Sequence, residues 1–119
     1  MQIIKSVIKL DYDIPMNEWV WKNSFSWWKR LRIVESILNI NFDDCIFEES
    51  KGGNTHVTIY IEEDLSELEV LAIQAILGSD YIREAFNFTR IKAGQKNWNI
   101  LFDGKPYMSK DGHIKEVVY

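Results

Sequence analysis

Cysteine is nearly absent from this chain. A single residue, Cys45, permits no internal disulfide, so the fold rests on packing and a reducing compartment is expected. With only two histidines, His56 and His113, beside it, a cysteine–histidine metal site is excluded by count. Two prolines and six glycines, scattered, leave no low-complexity tract. Long hydrophobic runs are missing. The apolar N-terminus is interrupted by Lys5 and Lys9, which argues against both a signal peptide and a membrane span, and a cytoplasmic protein without a membrane partner is expected. Positive charge is in deficit, with 14 Lys and Arg against 18 Asp and Glu and a net charge of −4. That balance excludes coating nucleic acid by bulk charge and leaves local phosphate contacts open. Glycine patterns of the Rossmann or Walker type are absent, and nothing supports a serine–histidine–acid triad.

What remains is ordinary globular material. The 119 residues are 46% hydrophobic and 27% charged, which suits a single domain over 1–119 with one core. The tryptophans are the exception: three of the five (Trp21, Trp27, Trp28) fall within eight residues.

β-branched residues over 2–10 predict a strand, ending at Asp11-Tyr12-Asp13-Ile14-Pro15. Residues 16–39 carry a helical pattern, clearest from Ser24 on, with Ser24 or Ser26 as the expected cap and 17–23 as a possible separate turn. Trp27, Leu31, Val34 and Leu38 form its stripe. A short strand over 45–49, a glycine turn and a strand over 55–61 make a hairpin, with Val57, Ile59 and Ile61 on one face and His56, Thr58 and Tyr60 on the other. Residues 65–77 predict a helix with a Ser66/Glu69 capping box and a Gly78 stop; Leu68, Leu71, Ala72, Ala75 and Ile76 are its expected buried stripe. A short helix to Phe88 follows, capped by Ser79 or Asp80. Residues 98–102 predict a strand, with 88–92 as an optional partner, and Asp111-Gly112 suggests a small terminal hairpin. The order β-α-β-β-α-β predicts an α+β, ferredoxin-like or RRM-like domain with two helices on one face of an antiparallel sheet.

That topology makes the first and third strands antiparallel neighbours. Asp11 and Asp13 then meet His56 and the loop of Ser50, Lys51, Gly52 and Gly53 at one sheet edge. Two carboxylates one residue apart at a strand end suit Mg²⁺ or Mn²⁺. The loop offers backbone N–H groups and a lysine to phosphate, and a histidine can donate to a phosphate or act as a general acid or base. The alternatives are plain: the aspartates cap the following helix, the glycines turn a hairpin, and His56 is a cross-strand partner.

The order of hydrophobic strand, Asp11-x-Asp13, helix, then Ser50, glycines and His56 before another strand resembles the first two motifs of archaeo-eukaryotic primases and primase-polymerases. The resemblance covers the first half of the chain, and the Ser50–His56 spacing is wider than the family's Ser-x-His. It implies a metal-dependent nucleotidyl or phosphoryl transfer core or a degenerate relative, with metal on Asp11 and Asp13 and phosphates on Ser50 and His56. Asp80 or Asp103 is then the third acid. Arg83 and Arg90, interleaved with Phe86, Phe88 and Trp98, are further candidate phosphate contacts of a single-strand platform. The aromatic first helix cannot bury Trp19, Trp21, Phe25 and Trp28 on one sheet, so a non-catalytic homodimeric binding or assembly protein is the competing expectation.

Overall fold

A computed structural model of the chain describes residues 3–100 and strand residues 107, 108, 114 and 115, with backbone alone at 20–24 and in those two C-terminal strands. The elements run β1 (Ser6–Pro15), α1 (Met16–Leu38), β2 (Phe42–Glu49), β3 (Asn54–Ile61), α2 (Glu67–Ile76), α3 (Tyr81–Lys92), β4 (Tyr107–Met108) and β5 (Ile114–Lys115). β1, β3 and β2 form an antiparallel sheet in that order, and β4 pairs with β5. The class is α+β.

Strand alternation sets the core. Ile8, Leu10 and Tyr12 of β1 share a face with Val57, Ile59 and Ile61 of β3, in a register that pairs Ile8 with Ile59 and Leu10 with Val57. Trp27, Leu31 and Val34 of α1 and Val70, Ile73 and Leu77 of and after α2 close over that same face in one cluster. Each fully buried aliphatic side chain contributes about 1.5–3 kcal/mol.

Several local expectations are corrected. α1 runs unbroken from Met16, so 17–23 is no separate turn and neither Ser24 nor Ser26 caps the helix. Pro15 occupies the cap position at φ −55°, already set for entry into a helix. β2 begins at Phe42 rather than Cys45, because the Glu35 carboxylate accepts the Phe42 N–H at 2.8 Å and the Phe42 ring is buried.

α2 has the expected capping box, but the opposite face is buried: Val70, Ile73 and Gln74 are inside, while Leu68 and Ile76 are exposed. Apolar residues surround this helix, so periodicity alone does not select a face.

α3 extends to Lys92, which removes the strand alternative at 88–92. Asp80 caps it through Ile82 and Arg83, and Gly94, at φ +77°, follows its end. Residues 98–100 are not a strand; 101 and 102 lie outside the described residues. Among the described residues, no helix is long and apolar enough to cross a membrane.

Cys45 lies on the core face of β2, opposite Ile59. Burial, the largest influence, pushes its thiol from 9.0 to about 11. The thiolate is the reactive form, so alkylation by iodoacetamide at pH 8 should run about a hundredfold slower than for an unperturbed thiol. It should rise about tenfold per pH unit until pH 11. A rate already level by pH 9 would contradict this placement.

Candidate functional site

The sequence places the ends of β1 and β3 together, and they meet. Asp11 is the direct cross-strand partner of His56, whose Nε2 stands 3.5 Å from Asp11 Oδ1. Both side chains are buried. Glu48 of β2 flanks His56 on its other side, so a carboxylate, an imidazole and a carboxylate form a row across three strands.

Asp13 leaves this row. It is exposed, and its Oδ1 accepts the Asn54 amide at 3.1 Å, beyond a register shift that bends the end of β1. In the hairpin, the Ser50 N–H donates to the Asn54 carbonyl, Gly53 N–H to the Ser50 carbonyl, and Asn54 N–H to the Ser50 hydroxyl. Ser50 therefore closes the turn, Gly53 supplies its φ of +87°, and Lys51 and Gly52 are exposed at the tip.

Asp80 lies beside Asp11: its N–H donates to the Asp11 carbonyl at 2.6 Å. Asp11, Asp13 and Asp80 line one cleft of about 410 Å³. The Asp80 carboxylate is held by the amides of Ile82 and Arg83, and Asp11 is held against His56. Among the described residues, no three or more His, Cys, Asp or Glu side chains are grouped to hold a metal ion. The other candidate third acid, Asp103, lies outside the described residues.

Arg83 and Arg90 point inward. Arg83 is fully buried. Its Nη1 donates to the Lys9 carbonyl at 2.8 Å and to Glu84, its Nη2 to Asn99 at 2.6 Å, and its Nε to the Ile100 carbonyl. Burial pulls this guanidinium below its ordinary pKa, while Glu84, Asp11 and Asp80 favour its charge. Arg90 is buried and donates to Asn87 at 2.9 Å. Both arginines are thus built into the fold and do not face solvent as phosphate contacts. Phe88 and Phe86 share their helix, so no flat sheet platform of aromatics and arginines forms.

These arginines belong to a buried polar network that the sequence did not reveal. Glu84 accepts from Gln74, Asn87 and Arg83; Gln74 in turn accepts from the Lys9 N–H and from Asn99. The helix end brings in Ser79: Ser79 N–H bonds back to Gln74 and Gly78 N–H to Ala75, and the Ser79 hydroxyl then accepts the Asp11 N–H at 3.0 Å. The outer edge of β1 at Lys9 and Asp11 is therefore satisfied by Gln74, Arg83, Ser79 and Asp80 rather than by another strand. One signal was available. Arg83, Glu84, Asn87 and Arg90 recur at helical spacing, a polar stripe as regular as an apolar one.

No family model matches the chain, and no solved structure matches it. It is similar to "Uncharacterized protein 30" of Sulfolobus islandicus filamentous virus (isolate Iceland/Hveragerdi), 26% identical over 117 residues. The alignment covers 95% of this chain and 43% of the viral protein, so the chain spans less than half the length of that relative.

Proposed function

We propose that this chain is a non-catalytic binding and assembly domain that pairs with a second copy of itself through the apolar face between α1 and α2. The observation that carries this is the placement of large aliphatic side chains in solvent: Ile37 is 76% exposed, Ile33 50% and Ile76 49%. Helical spacing puts Ile33 and Ile37 on the same flank of α1 as Arg30, and Arg30 Nη1 lies beside Gly78 at the end of α2. At the other end, Leu38 and Ile40 face Ala72, Ile73 and Ile76 across a gap of about 160 Å³. The two helices run in opposite directions along an open apolar groove, and contiguous exposed surface of this kind marks interfaces.

The occupant follows from the rim. Lys29 and Arg30 stand at one end of the α1 wall, and Glu69 stands at the diagonally opposite end of the α2 wall. A twofold axis along the other diagonal exchanges those corners. It sets the basic end of one copy over the acidic end of the other and brings Ile37 near its own copy. Such self-complementarity is what an isologous dimer requires.

Assembly is preferred here over Mg²⁺- or Mn²⁺-dependent nucleotidyl transfer of the primase type. Asp11 is committed to His56, Asp13 to Asn54, and Asp80 to the first turn of α3. The ferredoxin-like, RRM-like architecture belongs to this proposal for the segment β1 to α2. There the strand order β1-β3-β2 and the two helices over one face support it, with the side chains of Gln74, Arg83 and Ser79 on the outer edge of β1 at Lys9 and Asp11.

Sedimentation velocity tests the pairing. The protein should sediment as a dimer at micromolar concentration, and Ile37→Glu should shift it to monomer without changing its circular dichroism. A wild-type monomer at 100 µM, on the order of the weakest homodimer worth calling specific, would remove the proposal.

A further inference from the structure

The outer edge of β1 carries a second feature, away from both the Asp11–His56 row and the α1/α2 groove. Where Gln74 and Arg83 stop covering the strand, the edge opens at Val7 into a cleft of about 630 Å³. It lies between β1, the start of α2 and residues 96–100. Its size is that of a small-molecule site.

Three lysines line it: Lys5, Lys9 and Lys96. Lys9 is on β1, Lys5 lies just before the strand with its N–H donating to the Ile61 carbonyl at 3.0 Å, and Lys96 approaches from the turn after α3. None of the three makes an ion pair among the described residues. Asn97, exposed, adds an amide on the same side. The backbone adds more. The Lys9 N–H and C=O point outward to Gln74 and Arg83, so alternation points those of Val7 the same way, into the cleft. Glu67 is the one carboxylate among the described residues of the lining, at the α2 rim.

From this we infer that the cleft binds a phosphate-bearing ligand of nucleotide size, with phosphates on Lys5, Lys9 and Lys96 and the base edge on Asn97 and the backbone of Val7. Three ammonium groups spread over one cleft suit a polyphosphate or successive phosphodiesters, because each neutralises one phosphate charge. An amide together with a free strand edge supplies the donors and acceptors that a base edge matches. Glu67 sets the polarity: phosphates are repelled from the α2 rim, so they enter on the β1 side. A free nucleotide and a single nucleic-acid strand both carry this chemistry.

Two ligands separate those sources. Binding of fluorescein-labelled oligothymidylate is read by anisotropy, and binding of ATP without metal by calorimetry. The comparison is between wild type, the Lys5→Gln/Lys9→Gln/Lys96→Gln variant and a control, Lys92→Gln, altered elsewhere. At least one ligand should bind, the triple variant should bind it at least about tenfold more weakly, and the control should be unchanged. For the oligonucleotide, the slope of log K against log salt should become shallower by about two, at roughly 0.7 for each phosphate no longer neutralised. Oligonucleotide binding alone assigns the cleft to a strand, and ATP binding alone to a free nucleotide. Should the triple variant fail to fold, Lys96→Gln, a single exposed change, should still weaken binding by about threefold. Two results overturn the inference: neither ligand binds at millimolar concentration, or the lysine variants bind as wild type does.

Discussion

Replacing Arg83 with methionine is expected to destabilise the protein by about 3–5 kcal/mol, the usual cost of removing one partner from a buried ion pair. The loss is large because three things fail together. Glu84 is left as a buried carboxylate without its cation. The Lys9 and Ile100 carbonyls lose their donor, and Asn99 loses the guanidinium that orients it toward Gln74. A domain of this size holds about 5–15 kcal/mol in total, so the variant should stand near the limit of folding. Glu84→Gln should be milder, at about 1–3 kcal/mol, because it leaves a neutral acceptor in place of a charge. Urea titration followed by tryptophan fluorescence measures both. Hydrogen exchange adds a local readout: the amides of Lys9 and Asp11 should lose protection before those of Ile8 and Leu10. A loss below about 1 kcal/mol for Arg83→Met would mean that the network does not hold β1.

This network also shows where sequence patterns stop. Strand faces were legible because β1 and β3 alternate cleanly and a sheet with one buried face tolerates no slip. From that came the neighbourhood of Asp11 and His56. The helix ends were legible where a cap has its own chemistry, as at Ser66, Gly78 and Asp80. Helix faces were harder. On α2 almost every face is apolar, so the one carrying Gln74 went inside, where its amide reaches Glu84 and β1, and Leu68 and Ile76 were left in solvent. On α3 the usual logic is inverted: Tyr81 and Phe88 are exposed, while Arg83, Glu84, Asn87 and Arg90 are buried. Polar residues with a full set of partners can occupy a core, and only the tertiary structure supplies those partners. For the same reason the arginines looked like surface cations, and the lysines of the β1 edge stand in the sequence only as breaks in an apolar run.

The aromatic cluster yields the other large effect. Trp19→Ala is expected to cost about 3–5 kcal/mol, as for other large aromatic truncations in a core. Sequence spacing set Trp19 among residues left over from the buried stripe, yet it is nearly fully buried and touches three rings. Tyr12 lies at 5.5 Å, Trp27 at 5.6 Å and Phe47 at 5.4 Å between centroids. These contacts join the first turns of α1 to both β1 and β2. Trp27 adds a directed bond, its indole N–H donating to the Tyr12 hydroxyl at 2.6 Å while that hydroxyl donates to the Leu77 carbonyl at 2.7 Å. Burial pushes the Tyr12 phenol upward, only partly offset by the Trp27 bond and Arg30, so this chain of hydrogen bonds stays neutral across the working pH range. Trp28→Ala should cost less, about 1–2 kcal/mol, because Trp28 sits at the margin of the cluster and is more than a third exposed. Thermal unfolding and near-ultraviolet circular dichroism distinguish the two. Trp19→Ala should lose most of the aromatic signal together with stability, and Trp28→Ala should keep most of both. Equal costs would mean that the packing centre does not lie at Trp19, and that the start of α1 is held by its helical continuity rather than by these rings.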